Sequence, residues 1–235
     1  MSNQFDSTTV LTADRINDLL GLSNHQFSID KGSFLFQEGM DAEEIFLVLS
    51  GKIVITKSTP EGREFSLRIC SENDICGELI LFLDDAKHMF SGKAMEKSTV
   101  AAISKHTIET EITKNNALAV DLLKWMTDNS RKIQLKFRDL ILHGKKGALY
   151  STLIRLSNSF GVNRSDGILI DCAVTNQELA NFCGTSRESI NRILNELKRN
   201  SIISSYKGKI IIHDIHYLRK EVYCEFCPIE FCRID

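Results

Sequence analysis

Two stretches of this chain carry residue types whose spacing fits definite chemistry. One is the tail, where Cys224-Glu-Phe-Cys227-Pro is followed by Cys232. A Cys-x2-Cys pair with a third Cys close behind suits wrapping one corner of a soft-metal cluster, because thiolates are the ligands such centres prefer. Pro228, directly after Cys227, discourages helix there. Zinc would need a fourth thiolate or imidazole, for which His213, His216 and Cys172 are the candidates. Redox-active or unliganded thiols are a third reading of the same spacing.

The other stretch is Val174–Arg199, VTNQELANFCGTSRESINRILNELKR. Thr175 with Glu178 is a capping-box pair that predicts a short helix over Asn176–Phe182. Cys183-Gly184 makes a tight turn, and Thr185 with Glu188 repeats the box to open a second helix running to about Arg199. Two short helices around a Gly turn form a helix-turn-helix. Ile190, Ile193, Leu194 and Leu197 give the second helix one apolar stripe. Arg187, Glu188, Asn191, Arg192 and Asn195 share the opposite face, which suits the reading of base edges in a major groove. Arg grips guanine O6 and N7 with two donors, and Glu accepts from cytosine N4.

These residues need a scaffold, and the rest of the chain supplies its pattern. From Asp30 to about Ser104 short apolar runs (Phe34–Phe36, Ile45–Leu49, Lys52–Thr56, Glu64–Ile69, Thr99–Ile103) alternate with glycines. Ser58 to Gly62 reads as a hairpin turn, and the whole as an antiparallel barrel or jelly roll. A short helical lead-in, Ala13–Leu20, precedes it. Residues 117–143 lack Gly and Pro, and Leu122, Met126, Asn129, Ile133, Phe137 and Leu140 recur at helical steps. A helix so long calls for a partner, either a two-fold mate or its own barrel. Gly144 to Gly147 is the natural break, followed by an amphipathic helix over Ala148–Phe160. Ile168–Ile170 reads as a strand, and Ile202-Ile203, the turn Tyr206–Lys209 and Ile210–Ile212 as the hairpin of a winged helix. The fold class is therefore α+β. Its parts are a barrel (1–112), a dimerisation helix (113–143), a winged-helix domain (144–220) and a cysteine-bearing tail (221–235).

Charge follows the same division. Residues 1–123 hold 11 Lys and Arg against 19 Asp and Glu, whereas residues 124–220 hold 17 against 8. A basic segment centred on the helix-turn-helix fits phosphate contact, and the acidic first half does not. The polar start MSNQFDSTTV lacks the apolar core of a signal peptide, and no apolar run approaches the roughly 18 residues of a membrane span. Seven cysteines without a secretory signal point to a reducing cytoplasm and no membrane partner. Cys70, Cys76, Cys172 and Cys183 sit in apolar or turn contexts and read as packing residues. No Ser/His/Asp, paired-carboxylate or P-loop pattern marks an enzyme.

Barrel, long helix and winged helix together resemble the Crp–Fnr family of bacterial transcription regulators. Gly77-Glu78-Leu79 and Arg187-Glu188 followed by Arg192 carry the resemblance, which covers nearly the whole chain. The cysteine tail makes the chain similar to the Bacillus-type Fnr branch, whose members sense oxygen through an iron–sulfur cluster. The resemblance implies a homodimer on a palindrome with TGTGA-like half-sites, working with RNA polymerase. Its DNA contacts would be Arg187, Glu188, Asn191 and Arg192, with Thr175 and Ser186 at the helix starts and Lys207 and Lys209 in the wing. The cluster, a [4Fe-4S] centre, would be held by Cys224, Cys227, Cys232 and Asp139. By spacing alone Asp139 is an ordinary solvated acid that could pair with His143 at i+4. The chain departs from cyclic-AMP-binding members at His88-Met89, where they carry Arg-Ser or Arg-Thr. A cyclic phosphate needs a fixed cation, so no cAMP is expected. The alternative is a regulator of the same fold answering to a small molecule in the barrel, with tail thiols binding zinc or sensing oxidants.

Overall fold

A computed structural model describes residues 13–78, 80–224 and 227–235. The polar residues ahead of Ala13, and Leu79 of the Gly77-Glu78-Leu79 step, lie outside the described residues. The chain forms two compact units, one of residues 1–57, 67–130 and 235, the other of residues 58–66 and 131–234.

In the first unit α1 (Ala13–Gly21) leads into β1 (His25–Ile29), β2 (Phe34–Phe36), β3 (Glu44–Ser50), β4 (Ile53–Ser58), β5 (Glu64–Cys70), β6 (Ile75–Cys76), β7 (Ser91–Ala94) and β8 (Ser98–Ser104). They form two four-stranded sheets, ordered β1-β8-β3-β6 and β2-β7-β4-β5. Ile45 to Val48 of β3 are all buried because both faces of its sheet are covered. Side chains alternate along a strand. Phe46 and Val48 accordingly join Phe36, Ile53, Ile55 and Val100 in one cluster. Ile45 joins Leu19, Ile103, Ile108, Leu118 and Leu122 in another. This is the expected antiparallel barrel.

β1, β6 and β7 were not legible in the sequence. Ser91-Gly92-Lys93-Ala94 lacks every strong strand former. It is held by pairing with β4 from Ile53↔Ala94 to Thr56↔Ser91. Gly92 is required there, since a Cβ would lie 2.7 Å from the Phe36 ring.

Ser104 caps α2 (Lys105–Lys114), its hydroxyl accepting from the Thr107 amide at 3.1 Å. The long helix α3 (Asn116–Leu142) follows. Its anticipated stripe needs correction. Leu122 lies in the barrel's second cluster, and the exposed apolar seam runs through Leu123, Met126, Ile133, Phe137 and Ile141. Phe137 and Leu123 are each 61% exposed. The break is also shorter than Gly144 to Gly147. Gly144 alone takes a positive φ of 58°, and Gly147 already donates to the His143 carbonyl at 3.2 Å, so α4 spans Gly144–Phe160.

The second unit continues with β9 (Gly161–Arg164), β10 (Gly167–Ile170), α5 (Asn176–Phe182), α6 (Arg187–Arg199), β11 (Ile203–Tyr206), β12 (Lys209–Ile212), α7 (Ile215–Glu221) and a 3-10 turn, Ile229–Phe231. The sheet order is β11-β12-β10-β9. Lys207 and Gly208, at φ 48° and 79°, make the tight turn of the wing. Leu149, Leu153 and Leu156 of α4, Leu179 and Phe182 of α5, and Ile190 and Leu197 of α6 have no exposed surface and form the core. Sequence reading missed β9 and α7.

Candidate functional site

The first α5 turn is held as expected. Thr175 accepts from the Glu178 amide at 3.2 Å while Glu178 accepts from the Thr175 amide at 2.6 Å. The cap of α6 differs by one residue. Ser186 accepts from the Ser189 amide at 3.3 Å, and the Thr185 hydroxyl is buried instead. Glu188, in the first turn of α6, is exposed. Its own amide, then Ser186 and Arg187, hold its carboxyl below the usual range, so it is an acceptor at neutral pH. Arg187, Glu188 and Arg192 are exposed together. Asn191 accepts from the Asn176 side chain, which braces α6 against α5. Lys198 and Arg199 place positive charge at the C-terminal turn, where the helix dipole favours it.

In the wing the exposed Lys207 lies 5.4 Å over the Tyr206 ring, and Arg164 lies over the same ring at 4.8 Å. Lys209 is bound to Asp171, so its reach to a phosphate depends on opening that pair.

The tail packs on α3 and α4. Arg155 donates to the Phe231 carbonyl at 3.1 Å, Asn158 to the Cys232 carbonyl at 2.6 Å, and the Ile234 amide to Ser159 at 2.9 Å. Arg131 lies 4.0 Å over the Phe231 ring. Cys224, Cys227 and Cys232 are free and half-buried. Burial pushes the Cys232 thiol up, and Cys224, Asp139 and Cys227 push the same way, against Arg155. Cys232 thus lies within electrostatic reach of the other two thiols and of Asp139. These groups are the donor types an iron–sulfur cluster takes. Among the described residues no group of three or more His, Cys, Asp or Glu converges on one metal position.

Asp139 is not the solvated acid that spacing alone describes. It is 7% exposed. One oxygen accepts from Arg155 at 2.8 Å and Ser151 at 2.5 Å, and the other from Arg138 at 2.9 Å. Burial raises its pKa, but these donors outweigh it and hold the carboxyl below its ordinary value. Arg155 and Ser151 escaped the sequence reading. The available signal was a lone Arg within the buried face of α4.

Lys136, another buried cation, was also missed. It donates to the Ser66 carbonyl at 2.6 Å and lies 4.7 Å from the Phe182 ring, and burial brings its pKa down to about 7.

The barrel presents different chemistry. His88 is 4% exposed and stacks on Phe36 with centroids 4.2 Å apart. Burial lowers its pKa, and its Nδ1 has no hydrogen-bond partner. Glu78 accepts from the Met89 amide at 2.8 Å, a structural use of that carboxylate. Among the described residues no helix is long and apolar enough to cross a membrane.

Comparison with known proteins agrees with this architecture. Residues 26–115 match the model of the cyclic nucleotide-binding domain, and residues 147–221 that of the Crp-like helix-turn-helix domain. The anaerobic regulatory protein of Bacillus subtilis (strain 168) is 50% identical over 230 residues, covering 97% of each chain. A cAMP-activated global transcriptional regulator of Mycobacterium tuberculosis is 24% identical over 81% of this chain and 84% of its own. Among solved structures, a c-di-GMP-responsive global regulator of Xanthomonas campestris superposes with a TM-score of 0.75 at 20% identity, covering 86% of this chain and 100% of that one.

Proposed function

Because this chain belongs to the Crp–Fnr family of transcription regulators, we propose that it is an oxygen-responsive DNA-binding regulator. It acts in the cytoplasm as a homodimer on a TGTGA-like palindrome, with RNA polymerase as its partner. Oxygen is sensed through an iron–sulfur cluster bound by Cys224, Cys227, Cys232 and Asp139. The observation that carries this reading is the tail itself, fastened through Phe231 and Cys232 to α4, with the Cys232 thiol in electrostatic reach of Asp139 and of the other two thiols. The relative that is 50% identical is called an anaerobic regulatory protein, which supports the same reading.

When bound, the cluster would supply iron that oxygen oxidises, and with it the loss of tail bonds to the protein. The chain's own residues do the rest. Arg155 joins Asp139 of α3 to the tail backbone at Phe231, so one side chain registers the position of both. For Asp139 to give an oxygen to iron, a bond to Arg155, Ser151 or Arg138 must lengthen or break. The exposed seam on α3 supports a two-fold mate, since a contiguous apolar stripe on a helix seeks a partner. Two α6 helices then meet half-sites about one helical turn apart.

The barrel has no part in cyclic-nucleotide sensing in this proposal, because a buried, uncharged His88 replaces the cation a phosphate requires. The test is binding of a fluorescent TGTGA palindrome by anaerobically reconstituted protein, before and after air. A change in affinity on exposure to air is expected. Equal affinity in both states would contradict oxygen control.

A further inference from the structure

The first unit contains a pair of thiols that packing alone does not account for. Cys70 ends β5 and Cys76 ends β6, and both have no exposed surface within one core cluster. Each thiol acts on the ionisation of the other, and Cys70 donates to the carbonyl of Ile75, the residue before Cys76, at 3.9 Å. An ordinary packing cysteine does not need that bond. The chain between them is a turn closed by Asp74, which accepts from the Ser71 amide at 2.8 Å, with Asn73 at a positive φ of 71°. β6 is only two residues long and lies at the edge of its sheet, so it can open locally without dismantling the barrel.

A guanidinium stands beside the pair. Arg68 donates to the Ile75 carbonyl at 2.6 Å through one nitrogen and to Asn129 of α3 at 3.3 Å through another. It also lies 5.4 Å over the ring of Trp125, one helical turn earlier on α3. Asn129 is held in turn by the Trp125 carbonyl at 3.2 Å. The hydrogen bond from Cys76, then Arg68, bring the Cys70 thiol below its ordinary pKa against the effect of burial, while burial and Cys70 push Cys76 up. One thiol is thus prepared to act as nucleophile and its neighbour as the proton-bearing partner.

We propose that Cys70 and Cys76 form a redox-modification site, a dithiol that a hydroperoxide converts to an intrachain disulfide, with Arg68 relaying the change to Trp125 and Asn129 of α3. The Cys70 thiolate attacks the terminal peroxide oxygen. The O–O bond breaks, the alcohol or water leaves with a proton, and Cys70 becomes a sulfenic acid. The Cys76 sulfur then displaces that hydroxyl as water, its own proton leaving with it, and the S–S bond forms. Both sulfurs are oxidised by one electron each and the peroxide is reduced by two. A thiol reductant reverses the change. This site uses none of the tail cysteines and registers a different oxidant.

The experiment uses full-length protein with Cys224, Cys227 and Cys232 all changed to Ser, so that cluster chemistry cannot contribute. After treatment with hydrogen peroxide, the chain is denatured in an alkylating agent and digested with trypsin. Cleavage after Arg68 and Lys87 leaves both cysteines on one peptide. The expected peptide has lost two hydrogens and takes up no alkylating agent, until a reductant restores both labels. Trp125 is the sole tryptophan, so its emission reports on the relay. A shift in emission on oxidation is expected, reversed by reductant and absent in Cys76→Ala and in Cys70→Ala. Circular dichroism verifies the fold of each variant. Full alkylation of both cysteines after peroxide overturns the site, as does a sulfinic acid at Cys70 with Cys76 still labelled. Disulfide formation with unchanged Trp125 emission overturns the relay.

Discussion

The barrel and the tail meet an incoming group with opposite chemistry. Inside the barrel, His88 is buried against Phe36 with its pKa lowered, and Glu78 is occupied by the Met89 amide. Neither side chain offers a cation to an anionic ligand. On the tail side, Arg155 and Arg138 surround a buried carboxylate, and the half-buried Cys232 lies within its electrostatic reach. These two barrel residues are engaged in packing and hydrogen bonding, while three cysteines fall within the last twelve residues of the chain. A shared fold fixes shape and leaves the chemistry to the residues grafted on it.

Breaking the buried ion pair should give the largest effect. Arg155→Leu leaves the Asp139 carboxylate without its buried partner, and should destabilise the second unit by about 3–5 kcal/mol in denaturant unfolding. Its barrel counterpart, His88→Leu, removes a base whose Nδ1 has no partner. It should cost under about 1.5 kcal/mol, as a swap between apolar environments of similar size does. Comparable losses for the two would erase the contrast.

Buried bases sharpen the comparison through pH. Lys136 titrates near 7 when folded and at 10.5 when free. Between those values the unfolded chain binds more protons, so stability should rise with pH across that window. Thermal unfolding of Lys136→Met should lose that rise. His88 acts lower, because its folded pKa lies below the free value of 6.5 and stability falls as pH drops through and beneath that value. A Lys136→Met protein that keeps the alkaline rise would show that another group governs it.

Smaller effects are expected on the reading face. Arg187→Ala and Arg192→Ala should each cost about 1–3 kcal/mol of DNA affinity and relax preference at one base position. Lys207→Ala should weaken binding to specific and random duplexes alike, measured by anisotropy at fixed salt. The smallest effect is none at all: calorimetric titration with cyclic AMP at millimolar concentration should give no saturable heat. Tight binding with a gain in DNA affinity would restore the barrel as a sensor.

What the sequence made legible was whatever is decided locally. The Thr175–Glu178 box fixed α5 to the residue, because both partners lie within one helical turn. The α6 cap slipped from Thr185 to Ser186 because adjacent hydroxyls compete for one role, and only packing decides which is buried. β7 was hidden because Ser91 to Ala94 becomes a strand through its neighbours, not its own preference. At the tail, the thiol spacing could be read. The Asp139–Arg155 pair could not, since it joins residues 16 apart on two helices whose relative rotation depends on Gly144. Nor could the Cys70–Cys76 contact, which arises from the edge pairing of β6 with Phe46 and Leu47 of β3. Along α3, Met126, Ile133 and Phe137 lie in the exposed seam as expected, whereas Leu122 turns to the barrel and Leu123 and Ile141 complete the seam, because periodicity gives a stripe but not its edges.

The central claim is that the tail thiols and Asp139 hold the oxygen sensor. It is tested most directly by iron and sulfide content per chain after anaerobic reconstitution, for wild type, Cys224→Ser and Asp139→Ala, before and after exposure to air. Wild type should bind iron and sulfide and lose them in air, Cys224→Ser should bind neither, and Asp139→Ala should hold little or none while remaining folded. Full iron retention by Cys224→Ser would contradict the assignment of the tail.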